Sequence, residues 1–191
     1  MADKTKEAKG PKKTRYIALL RGINVGGHTV KMDRLKKLFD EMGLKKVETF
    51  IASGNVIFES ASTNVEALEK KVAGHLEKVL GYAVATFIRT DAELARIAVH
   101  PAFPDRADHS VYIAFLGAEP SKESQARLFR HRTKLDDFHV HAREAYWLCR
   151  TPRMSDSEFF KVGIEKALGV PATVRNSTTV AKLVEKYPCE G

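Results

Sequence analysis

The chain has 191 residues, 43% of them hydrophobic and 29% charged, with 12 Gly, 7 Pro and 2 Cys, which excludes fibrous and low-complexity classes. Its 32 Lys and Arg against 24 Asp and Glu leave a formal charge of +8, but residues 1–15 hold six of the basic and two of the acidic side chains, so half of the excess sits in a short tail. That split removes most of the electrostatic case for a nucleic-acid or acidic-membrane partner.

Residues 1–14 are Lys-rich without apolar periodicity, and such a segment is expected to stay disordered. Residues 16–21 (YIALLR) read as a buried strand ending at Gly22. Met32, Leu35, Leu38, Phe39 and Met42 then recur at helical spacing up to Gly43. VETFIA (47–52) and NVIFE (55–59) flank Ser53-Gly54 and predict a hairpin. Thr63 and Glu66 have the spacing of a capping box, opening a helix with Val65, Leu68, Val72, Leu76 and Val79 on one face. AVATFIR (83–89) is the fourth strand, and Thr90 with Glu93 caps a further short helix.

Two prolines, Pro101 and Pro104, disfavour helix beyond His100. The expected division is a tail at 1–14, a first domain at 15–100, a linker at 101–109 and a second domain at 110–191. In the second domain SVYIAFLG (110–117) is a strand, Ser121 opens a basic helix through Arg132, and FHVHA and AYWLC form a hairpin around Arg143-Glu144. Asp156 or Ser157 caps a helix through Leu168, ATVR (172–175) is the last strand, and Ser177 to Tyr187 the last helix. Both halves therefore read βαββαβ plus a helix. The fold class expected is α+β, built as two tandem ferredoxin-like units. No run of about 18 apolar residues is present to span a membrane, and the Lys-rich start lacks the apolar stretch of a secretory signal. A cytoplasmic location is expected, with Cys149 and Cys189 reduced and no CxxC spacing for zinc or dithiol chemistry.

Three motifs carry a resemblance to a known family: Leu20-Arg21-Gly22-Ile23-Asn24-Val25-Gly26-Gly27, then TFIASGNVIF at 49–58, and TVRNSTTVAKL at 173–183. From about Tyr16 to Tyr187 the sequence resembles the bacterial family known as domain of unknown function 1697. The resemblance implies two ferredoxin-like units and brings no activity with it. Where the family has Arg-Asn-Trp-Asn-Thr-Val, this chain has Arg175-Asn176-Ser177-Thr178-Thr179-Val180.

The candidate chemistry centres on Arg21, Gly22, Asn24, Gly26 and Gly27, a strand-to-helix loop followed by Lys31 at the helix start. Such a loop can turn backbone N–H groups toward a phosphate, although it lacks Walker A and G-x-G-x-x-G spacing. The competing explanation is that glycine supplies positive φ in a tight connection. Arg175 and Asn176 are candidate contributors from the other half, with Asn176 equally suited to capping the last helix. Arg21 and Asn55 are expected at opposite ends of the first sheet, with Arg89 on the hairpin side, so a shared site would need the two domains to face each other. His139 and His141 alternate on a strand and project to one face, without an evident third metal ligand among His109 and His131. No metal, cofactor or catalytic residue is assigned. The leading expectation is a small anionic or phosphate-containing ligand, bound at the loop 21–27 or between the domains. The alternatives are a nucleic-acid-binding module using the basic cluster Arg127, Arg130, Arg132 and Lys134, and a self-associating scaffold.

Overall fold

A computed structural model of the protein describes residues 13–24, 26–51, 54–104 and 109–189. Residues 1–12 of the basic tail, Ser53 of the expected turn and 105–108 of the expected linker lie outside the described residues.

Strand β1 (Thr14–Arg21) is covered on both faces. Tyr16, Ala18 and Leu20 face helices α1 (Met32–Glu41) and α2 (Val65–Leu80), while Ile17 and Leu19 face the other way, as strand alternation requires. Burial on both sides is why this segment is one unbroken apolar run. Strands β2 (Lys45–Phe50), β3 (Asn55–Ser60) and β4 (Ala85–Thr90) complete an antiparallel sheet ordered β2-β3-β1-β4. Strands β5 (Ser110–Leu116), β6 (Asp136–His141), β7 (Glu144–Cys149) and β8 (Ala172–Asn176) form a second, ordered β6-β7-β5-β8. The protein is thus α+β, with two four-stranded antiparallel sheets.

The second sheet also has two covered faces. Its outer face packs on α4 (Lys122–Phe129), α5 (Glu158–Val162) and α6 (Ile164–Leu168), burying Leu128, Phe159 and Leu168. Its inner face meets the inner face of the first sheet: Ile17, Leu19 and Phe87 share a core with Ile113, Phe115 and Tyr146. Helices α3 (Asp91–Val99) and α7 (Ser177–Lys186) add Leu94, Ile97, Val180 and Leu183 to that core. Much of the space between the sheets is therefore filled by packed side chains.

Several local expectations change. The cap of α2 is Asn64 rather than Thr63: its Oδ1 accepts from the Ala67 N–H at 2.9 Å, and Glu66 instead pairs with Lys70 at 2.7 Å. Helix α4 ends at Phe129, three residues before Arg132. Ser157 does cap a helix, but Gly163, at φ 76°, divides the segment up to Leu168 into α5 and α6. The largest revision concerns strand direction. β3 runs antiparallel to β1 and Leu19 lies opposite Asn55, so the end of β1 and the β2–β3 hairpin share one end of the sheet. Thr90 lies opposite Tyr16, which puts Arg89 toward the other end. Both placements reverse the expectation for Arg21, Asn55 and Arg89, because β1 must run toward the hairpin that its antiparallel neighbour leaves.

The capping box of α3 forms as expected. Thr90 Oγ1 accepts from the Glu93 N–H at 3.1 Å, and Glu93 Oε2 accepts from the Thr90 N–H at 2.8 Å. Thr90→Ala is expected to lose about 1 kcal/mol of stability by urea denaturation, with Thr90→Ser retaining most of it.

Candidate functional site

The glycine-rich loop is braced from within. Gly22, Gly26 and Gly27 have φ of 79°, 62° and 85°, and a Cβ at Gly26 or Gly27 would meet nothing within 4 Å. These two glycines therefore serve backbone conformation rather than close packing. Asn24 Oδ1 accepts from the Val30 N–H at 2.7 Å and closes the loop, and the Tyr82 hydroxyl donates to the Ile23 carbonyl at 3.0 Å. Arg21 is engaged by Glu165 of the second half through two contacts of 2.7 and 2.6 Å. Lys31 is exposed at the N-cap of α1 and makes no side-chain cap.

Arg175 does reach the first half, as a brace at the base of this loop. Its guanidinium donates to Asn55 Oδ1 at 2.7 Å, to the Leu20 carbonyl at 2.9 Å, and to Thr173 Oγ1 and the Val174 carbonyl. Burial lowers its pKa to about 10. Asn176 caps α7 through the Thr178 N–H at 2.8 Å.

Arg89 makes the reciprocal clasp. It is 1% exposed and donates to Glu144 Oε1 at 2.7 Å, to the Leu116 carbonyl at 3.0 Å and to the Arg143 carbonyl at 3.1 Å. The two clasps correspond position by position. Arg89 lies opposite Ile17 in the first sheet, and Arg175 opposite Ile113 in the second. Each reaches the carbonyl near the end of the other sheet's first strand, Leu116 or Leu20. Each also meets the first residue of the other sheet's third strand, Glu144 or Asn55.

A cavity of about 340 Å³ opens beside the Arg89 clasp, between α3 and the β6–β7 hairpin. Arg89 and Glu144 lie at its base, with Arg96, His100, His141, Arg143 and the carboxylate of Glu93 around it and Tyr146 and Ile97 as a wall. Arg143 is held at the long end of ion-pair range, 3.9 Å from Glu69 and 3.8 Å from Glu93. Burial, and next the Glu144 carboxylate, raise the Tyr146 pKa, so this phenol remains neutral. Its hydroxyl faces the Ile97 carbonyl at 3.4 Å.

His139 and His141 project to one face as expected, and the third imidazole beside them is His100. His100 and His139 share an Nε2···Nε2 hydrogen bond of 3.1 Å, and His100 stacks on His141 at 4.5 Å. His131 instead packs near Phe159 of the outer layer. Among the described residues no group of three His, Cys, Asp or Glu side chains is arranged to hold a metal ion. The sequence reading missed Arg96, His100, Arg143 and Tyr146 as neighbours. His100 lies in a segment that the sequence marks as a boundary, and Arg143 at a hairpin whose strand the sequence weighs only against an RNA-recognition pattern.

Two of the four cations of the basic cluster are engaged within the fold, while Arg130 and Lys134 are exposed. Arg127 bonds Ser124 Oγ and the Leu168 carbonyl, and Arg132 bonds the Phe138 carbonyl and Asp137 while lying over the Phe129 ring. No described helix is long and apolar enough to cross a membrane.

Comparison with solved structures finds a conserved bacterial protein from Streptococcus pneumoniae with a TM-score of 0.70 and 22% identity, covering 91% of this chain and 98% of that one. That likeness concerns the fold. No curated protein matches the chain. A family model, Protein of unknown function (DUF1697), matches residues 13–146. With the two sheets, their motif-bearing strand ends and this match in hand, the chain belongs to the DUF1697 family.

Proposed function

We propose that the protein binds a small anionic ligand, of the phosphate-bearing or nucleotide-like class, in the cleft between α3 and the β6–β7 hairpin. The observation that carries this reading is the convergence of Arg96, Arg143, His100 and His141, from both halves of the chain, on one cavity of about 340 Å³. The volume is in the ordinary range for small-molecule sites, and guanidinium groups suit bidentate recognition of phosphate or carboxylate. In this reading the halves are two ferredoxin-like domains in a cytoplasmic protein, and the ligand lies at their seam. Catalysis remains unassigned.

The loop 21–27 is the lesser candidate, because Arg21 and Asn24 are engaged by Glu165 and by the Val30 N–H. The nucleic-acid alternative loses support from burial. RNA-recognition modules stack bases on an open sheet face, whereas every residue of β7 is buried.

A thermal-shift and calorimetric titration with pyrophosphate, AMP and short RNA at fixed ionic strength tests the reading. Pyrophosphate or AMP at 100 times its dissociation constant is expected to stabilise the fold by about 2.7 kcal/mol. The response should fall at least about tenfold in affinity in Arg143→Ala and in Arg96→Ala, a loss of about 1.4 kcal/mol each. No response to either compound, or one that survives both substitutions, rejects the cleft. Loss of the response in Lys31→Ala alone would move the site to the loop.

A further inference from the structure

We infer that His100, His139 and His141 form a proton-operated latch between the end of α3 and the β6–β7 hairpin, closed while the imidazoles are neutral and released when they are protonated. The latch shares His100 and His141 with the proposed ligand cleft, but it concerns how the two halves hold each other and its test needs no ligand.

The geometry requires a neutral ring. Two Nε2 atoms 3.1 Å apart make a hydrogen bond only if one carries the proton and the other presents its lone pair. With both rings cationic, two N–H groups would point at each other and the bond would become a repulsion. The second contact works in the same direction. His100 lies between His141, at 4.5 Å and 20° between planes, and Tyr146, at 5.1 Å and 29°. Two stacked imidazolium rings at that separation repel. His100 is the C-cap of α3, in the first half, while His139 and His141 belong to β6 of the second. Protonation therefore acts across the seam.

The surrounding charges do not cancel this effect. Arg96 and Glu93 face the cluster from α3, Arg143 and Glu144 from the hairpin, and Arg89 lies beneath. Arg132 and Asp137 act on His139 with opposite signs. The end of a helix favours a cation at His100, but burial, then His141, then His139 outweigh it and hold its pKa below the ordinary histidine value. Burial, followed by His141, lowers His139 likewise. Histidines whose pKa is lower folded than unfolded bind fewer protons in the folded state. The stability they leave in place above pH 6.5 is then lost as pH falls from 6.5 toward the folded values.

The experiment is an NMR titration of the imidazole C–H resonances of the full chain, together with urea midpoints between about pH 7.5 and about pH 5. His100 and His139 are expected to titrate below the ordinary value. The wild-type midpoint should fall with acid more steeply than that of His100→Gln or His139→Gln. Titration at or above the ordinary value, or parallel pH profiles in wild type and both variants, overturns the latch. Should either variant fail to fold, the wild-type titration alone decides it.

Discussion

Glu144→Ala is expected to destabilise the protein by about 3–5 kcal/mol, the cost of removing one partner from a buried ion pair. Arg89 is 1% exposed, and its Nε–H is satisfied by Glu144 Oε1 at 2.7 Å. Without that carboxylate the guanidinium would remain in a low-dielectric seam, held by the Ile88, Leu116 and Arg143 carbonyls and by the more distant Glu69 carboxylate at 3.9 Å. The general rule that a well-packed apolar pair can replace a buried ion pair should fail here. Arg89→Met together with Glu144→Leu would orphan those three carbonyl contacts as well. Glu144→Gln keeps an acceptor in place and should lose less than Glu144→Ala. Urea denaturation of the three variants checks the order: a Glu144→Ala loss below about 1 kcal/mol would mean that the pair is effectively solvated.

Gly54→Ala carries the second large effect. Gly54 has φ 73°, and a Cβ there would lie 2.8 Å from Ile23 Cγ2 and 3.2 Å from Leu20 Cβ. The backbone term is about 1–2 kcal/mol and overpacking adds about 1–3 kcal/mol, so a total of about 2–5 kcal/mol is expected. Gly26→Ala isolates the first term, since its φ of 62° is comparable and its surroundings are open. The difference between the two variants in one denaturation series measures the packing contribution of the β1 end against the hairpin. Equal losses would show that the Ile23 side chain moves aside at no cost.

Much of the fold is legible in the sequence because alternation and capping are local. The run at 16–20, the Thr90-Glu93 box and the Asn176 cap each depend on residues a few positions apart, and each matches the structure. Misreadings arise where two local solutions compete or where a relation is long-range. Thr63 and Asn64 are adjacent cap candidates, and side-chain geometry selects Asn64. The direction of β1 relative to its hairpin follows from pairing Leu19 with Asn55, a relation across 36 positions that no window reveals. The candidate site suffers most from this. Arg21 and Arg175 stand out in sequence as cations beside glycine or a cap, but their partners, Glu165 and Asn55, lie 144 and 120 positions away. Conversely, Arg96, His100 and Arg143 have unremarkable neighbours in sequence and meet only when the halves close.

The exchanged arginines also bear on how the chain unfolds. If one half opened while the other stayed folded, the intact half would expose carbonyls that its partner's guanidinium satisfies and a strip of apolar sheet from Ile17 to Phe87 or from Ile113 to Tyr146. Because one chain carries both sheets, each is held at a permanently high effective concentration for the other. Its two sheets should therefore lose structure in one cooperative transition rather than in sequence.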